Sequence, residues 1–182
     1  MKNKFQECPP NAATTIESLR RLNYNLEIAA ADIIDNSISA GSKNITIAYK
    51  WNHLDSYIKF IDDGEGMSND KLFNAMKLGS HPHNYKRNDN DLGRFGLGLK
   101  TASWSQCNKL TVLSKKRSIQ NYRIWDLDNV KNEDRWILQT NNGNMPLLKD
   151  LENTSNGTIV LWENLEMIQI DTEDEEAFKL WK

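Results

Sequence analysis

Residues 92–103 read LGRFGLGLKTAS, and the fold turns on what this stretch is for. Gly93, Gly96 and Gly98 lead into a run that can start a helix at Leu99. Backbone without Cβ atoms folds closely round a ligand, and a helix start offers unpaired N–H groups and a partial positive charge. That combination suits phosphate. A glycine-rich turn before a helix is also common punctuation between elements, so its meaning depends on its neighbours.

Just upstream, residues 80–91 (SHPHNYKRNDND) hold no apolar periodicity and read as a long loop. His81 and His83 do not read as a metal pair, because no third ligand lies near and zinc takes three or four protein ligands. Further back, Leu26, Ala29, Ala30, Ile33, Ile34 and Ser37 recur at helical spacing and predict a helix over 25–39, closed by Gly41. Asp32 and Asn36 fall one turn apart at the edge of its buried face. A carboxylate and an amide there can point into a cleft, or can be the solvated flank of an amphipathic helix. Strands are predicted over 44–51 and 57–62, with Ile45, Ile47 and Tyr49 sharing a face. The second runs into DDGEG, residues 62–66, whose glycines allow either close approach to a ligand or a plain Asp-Gly turn. Ser68 can cap a helix carrying Leu72, Ala75, Met76 and Gly79.

At the front, Thr14 and Glu17 stand in capping-box spacing and predict a helix start. Residues 1–13, broken by Pro9-Pro10, read as an arm, and 14–182 as one domain. Beyond the glycines, strands are predicted over 109–114, 120–127, 135–139 and 158–162, and the acidic run 171–176 can begin a helix. The chain is 182 residues long, 38% hydrophobic and 26% charged, with a formal net charge of −2. Such a balance describes a folded domain and argues against a surface that is wholly a nucleic-acid footprint. Cys8 and Cys107 form no CxxC pair, so a reducing compartment is expected. No run approaches the roughly 20 apolar residues of a membrane span and no apolar leader is visible. The expected location is cytoplasmic, with no membrane partner.

Four pieces stand in order: DIIDNSISAG, IDDGEGMS, LGRFGLGLKTAS and NGTIVLW. Together they resemble the boxes of the GHKL superfamily, which gathers gyrase B, the ninety-kilodalton heat-shock chaperone, histidine kinases and MutL. Within it, GRFGLGLKTAS looks most like the microrchidia (MORC) ATPases, with MutL next. The resemblance implies an α+β two-layer sandwich, the Bergerat fold, with a mixed, mainly antiparallel sheet, helices on one face and an ATP lid over residues 79–92. It implies ATP and Mg²⁺ as cofactors, with Asn36 holding the metal that bridges the phosphates. Asp62 matches the aspartate that accepts from adenine's amine, and Thr158 the threonine that supports it. Ala40, Lys43, Gly64, Gly66 and Met67 fall where relatives wall the nucleotide. Gly93, Arg94, Phe95, Gly96, Leu97, Gly98, Leu99 and Lys100 fall where backbone N–H groups and a lysine meet the phosphates. Asp32 stands where MutL, MORC and chaperone relatives usually carry a glutamate that activates the attacking water. It is one methylene shorter, and a displacement on the order of 1 Å can cost about a hundredfold in rate. Asp35 turns away from Asn36.

Many relatives supply a phosphate-sensing lysine from a following transducer domain, so the chain is expected to be a piece of a longer protein. The resemblance therefore implies an ATP-hydrolysing conformational switch in which two copies associate with ATP. The alternatives are a nucleotide-binding module without turnover, which the shorter acid favours, and a histidine or serine protein kinase. The absence of a phospho-acceptor helix argues against the kinase.

Overall fold

The computed structural model describes residues 6–21, 24–52, 55–79, 97–140 and 146–166. A five-stranded sheet forms from β1 (Ile45–Lys50), β2 (Tyr57–Asp62), β3 (Cys107–Lys116), β4 (Ile119–Asp126) and β5 (Gly157–Leu165), in the spatial order β1-β2-β5-β3-β4. Every pairing among these strands is antiparallel, without the parallel component a mixed sheet would have. β5 comes last in sequence yet lies in the middle, and it is buried without a break from Gly157 to Trp162. Its register sets Thr158 opposite Asp62 on one side and opposite Ser114 on the other. Paired positions share a face of a sheet, so these three side chains form one polar row across β2, β5 and β3.

Helices α1 (Ala12–Arg20), α2 (Leu26–Ser39), α3 (Asn69–Met76), α4 (Gly98–Trp104) and α5 (Leu127–Glu133) contribute Ile16, Ala29, Ile33, Leu72, Met76, Trp104 and Val130 to the main core. They meet Phe60, Leu110, Val112, Trp125, Val160 and Trp162 from the sheet. Aromatic rings are its large blocks. Trp104 and Trp125 meet edge to face at 5.4 Å, as do Trp125 and Trp136 at 6.2 Å, and Phe60 lies against Trp162 at 4.8 Å. The other face of the sheet carries a smaller cluster in which a 3₁₀ turn (Pro146–Leu151) sets Leu151 against Leu113 and Ile159. Lys115 ties that turn down by donating to the Leu151 carbonyl at 2.8 Å.

The local chemistry of α2 defines both its ends. The Asn25 side chain accepts from the Ile28 N–H at 2.8 Å. At the other end Gly41, with φ +72°, lets its own N–H reach the Ile38 carbonyl and the Ser42 N–H reach that of Ser37. This is the Schellman closure, and the left-handed turn it needs is open to glycine.

Several elements differ from expectation. Helix α1 starts at Ala12, not at Thr14, because Asn11 accepts from the Thr14 N–H at 2.9 Å and is itself held by Asp134 beyond α5. Glu17 then pairs with Lys131 instead of returning to a cap, and Ala12, inside the stretch read as an arm, is buried. α4 begins at Gly98, one residue early. α5 occupies the chain just past β4, with Asp126 as its N-cap accepting from Asn129. The segment 135–139 is no strand: it contributes the single bridge Ile124–Gln139. Ile47 and Tyr49 share a face as expected but stay exposed, because β1 is the edge of the described sheet and none of the described helices covers it. The lid residues 80–92, His81, His83, Gly93, Arg94, Phe95, Gly96 and the acidic run 171–176 lie outside the described residues.

Candidate functional site

Asp62 ends β2 on the helix face and is buried. One carboxylate oxygen accepts from the Gly64 N–H at 2.9 Å and the other from the Ser37 hydroxyl at 3.1 Å. Burial pushes its pKa above the ordinary aspartate value. The N–H of Gly64, the hydroxyls of Ser37 and Ser42 and the N–H of Thr158 act against that shift by hydrogen bonding to the anion. What results is a desolvated carboxylate steadied by several donors. Thr158, beside it in the row, is also buried.

The glycines of DDGEG hold the loop in place by close packing. A Cβ on Gly64 would lie 2.9 Å from the Ala40 carbonyl oxygen, and one on Gly66, whose φ is +63°, would lie 1.9 Å from the Lys115 carbonyl oxygen. Both glycines thus press the loop against α2 and β3. Ala40 accepts from the Glu65 N–H at 2.9 Å, and the Met67 N–H donates to Ser114 at 2.8 Å. Lys43 is exposed, and its backbone N–H is held by Asp63 at 2.7 Å. Asp63 itself is held below the usual aspartate range, chiefly by the Asn44 and Lys43 donors. Asn156, first residue of the late box, accepts from the Arg117 N–H at 2.8 Å and so closes the β3–β4 turn.

On α2, Asp32 is half-buried and Asn36 exposed. A Cβ built on Gly98 would lie 3.5 Å from the Asp32 carboxylate, so the first residue of α4 faces this acid. Leu97 and Leu99 are half-buried beside it. Lys100, which the resemblance places at the phosphates, is only 1% exposed, and its ammonium donates to the Ala75 carbonyl at the end of α3 at 2.7 Å. Burial lowers its pKa to about 8. The structure therefore brings Asp62, Gly64, Gly66, Met67 and Thr158 together on the sheet side, and Asp32 against Gly98 on the helix side.

Sequence reasoning missed Ser37 and Ser114. Ser37 appeared only as a member of the buried stripe of α2. A hydroxyl on a buried helix face needs a partner, and that was its signal. Ser114 follows Leu110 and Val112 along the core-facing side of β3 and carried the same one.

Among the described residues no group of three or more His, Cys, Asp and Glu could hold a metal ion. Mg²⁺ nonetheless fits, since it keeps waters and phosphate oxygens as ligands and asks the protein for only one or two hard oxygens. The exposed Asn36 amide is such an oxygen. An adenine nucleotide fits the buried acceptor Asp62.

The family described as histidine kinase-, DNA gyrase B- and HSP90-like ATPase matches residues 24–158, and the chain belongs to it. That membership implies ATP binding. A similar individual protein is the ATPase morc-1 of Caenorhabditis elegans, 28% identical over 92 residues, which make up 50% of this chain and 10% of that protein. The chain spans about a tenth of the length of that relative. Among the described residues no helix is long and apolar enough to cross a membrane.

Proposed function

We propose that this chain is a Mg²⁺-dependent ATP-hydrolysing switch, with Asp32 as the base that activates the attacking water. The observation that carries this reading is the approach of the Asp32 carboxylate to Gly98, the first residue of the helix that follows the glycine stretch. An acid there, one turn before an exposed amide, stands beside the segment where the family resemblance puts the phosphates. Asn36 would hold Mg²⁺, which when bound screens phosphate charge for attack. Asp62 and Thr158 would take the adenine. A buried anion rejects a base that brings no donor, because the unmatched carboxylate is left desolvated and unpaired. The ordering of the lid and the association of two copies on ATP belong to the same proposal.

The test is Asp32→Asn. The base touches water and not the nucleotide, so ATP affinity by calorimetry should hold while phosphate release falls by about 10² to 10⁴, the range for losing a general base. Equal phosphate release by the two proteins at saturating ATP leaves the site without its base. A second reading, binding without turnover, rests on Asp32 being one methylene shorter than glutamate. Saturable ATP binding with no phosphate release from the wild type would favour it.

A further inference from the structure

Ser114 is completely buried on β3, and neither a motif nor a family box points to it. Its hydroxyl stands where three separate segments meet. It accepts from the Met67 N–H at 2.8 Å, lies 3.1 Å from the Gly157 carbonyl oxygen and lies 3.0 Å from the Thr158 hydroxyl. A serine hydroxyl has one hydrogen and two acceptor positions. A carbonyl can only accept, so the contact with Gly157 takes Ser114's hydrogen. The Met67 N–H fills one acceptor position. The remaining position faces Thr158, whose hydroxyl must then be the donor in that pair. All three contacts are satisfied at once in this arrangement, as a buried polar node requires.

The consequence lies one strand over. With its single hydrogen turned towards β3, Thr158 has only lone pairs left to show a ligand, and Asp62 beside it in the row is an acceptor as well. We infer that Ser114 is a positioning residue for base selection: it orients the Thr158 hydroxyl so that Asp62 and Thr158 together form an acceptor-only wall. Such a wall takes a base with an amine at its 6-position and repels one with a carbonyl there. Ser114 touches no part of the nucleotide and acts through Thr158. The inference rests on the adenine reading proposed above and assigns its discrimination to a residue outside the nucleotide-contacting set.

The experiment is a comparison of ATP with inosine triphosphate, whose 6-position carries a carbonyl in place of the amine, by calorimetry on the wild type and on variants. In Ser114→Ala the Thr158 hydrogen is released and can turn to donate to that carbonyl, so the ratio of ATP to inosine triphosphate affinities should fall by about tenfold, the weight of one neutral hydrogen bond. General loosening of the site would weaken both nucleotides alike and leave the ratio where it was. That result, in a wild type that prefers ATP, overturns the role of Ser114 while the ATP reading stands. A wild type that binds neither nucleotide overturns both. If Ser114→Ala does not fold, Thr158→Val decides by sign. Loss of an acceptor lowers the ratio, as the inference requires, and loss of a donor raises it and overturns the inference. Where both variants fold, Ser114→Ala added to Thr158→Val should change the ratio no further.

Discussion

Asp62 and Lys100 are both buried ionisable groups, and burial moves their pKa values in opposite directions. Asp62 is met by donors: the Gly64 N–H and the Ser37 hydroxyl lie at 2.9 and 3.1 Å. Asp62→Asn would set an amide in a nest of donors and offer adenine's amine a weaker, neutral acceptor. ATP binding should weaken by about 1.5 to 3 kcal/mol, the range for a hydrogen bond to a charged group. Unchanged affinity in a folded variant, measured by calorimetry, would remove Asp62 from the site. At Lys100, as at Asp62, desolvation is the largest effect, and here it lowers the pKa from 10.5 to about 8. Below pH 8 both folded and unfolded chains hold the proton, and the cost of burying the charge is fully present. Between pH 8 and 10.5 the unfolded chain binds a proton that the native one has released, so stability rises with pH across this window, by up to ~3 kcal/mol. Lys100→Met should lack that rise. Urea denaturation of both proteins from pH 7 to 10.5 checks it, and parallel curves would show that Lys100 titrates normally.

The D-x-G-x-G loop shows how one element fixes another. Gly66 and Gly41 both have positive φ, but a Cβ on Gly41 meets nothing within 4 Å, whereas one on Gly66 would lie 1.9 Å from the Lys115 carbonyl oxygen. Gly41→Ala should therefore cost only the left-handed conformation, ~1–2 kcal/mol, or a fall in Tm of roughly 2–8 °C. Gly66→Ala adds a displacement of β3 backbone, and should cost at least twice as much. Equal losses in thermal unfolding would mean that the contact with Lys115 is not what requires glycine. The same contrast explains what could be read from the chain. The far end of α2 and the start of α3 were legible because Gly41 and Ser68 carry their cap chemistry close to the groups they satisfy, whereas the Asn25 cap of α2 emerged only in the structure. α1 was misplaced because Asn11 competes with Thr14 for the cap and is supported by Asp134, a residue 123 positions away. α5 is short, and its cap Asp126 also ends a strand, so no change of period announces it. At the site, Asp62 and Thr158 could be named from motifs. Ser37 and Ser114 could not, since their partners lie 25 to 47 residues off and are brought to them only by tertiary packing and sheet register.

Across the whole molecule, the strand that closes the candidate site lies in the well-supported middle of the sheet. β5 has a hydrogen-bonded neighbour on each side, main-core residues on one face and the Leu113–Leu151–Ile159 cluster on the other. Among the described residues β1 has one neighbouring strand, and its Tyr49 is 74% exposed. Amides of β5 should therefore exchange only when the domain unfolds as a unit, while those of β1 exchange through local fraying. A ligand that binds only the native state raises the cost of global unfolding by mass action, by about 2.7 kcal/mol at 100 times its Kd, and leaves local openings that keep the site intact almost untouched. ATP at that excess should slow exchange in β5, from Ile159 to Trp162, by about a hundredfold, and slow β1, from Ile47 to Tyr49, far less. Hydrogen exchange with and without nucleotide reads both strands in one experiment. Equal slowing in the two would mean that β1 opens only with the core, and no slowing in β5 at a saturating concentration would mean that ATP does not stabilise the sheet on which Asp62 and Thr158 stand.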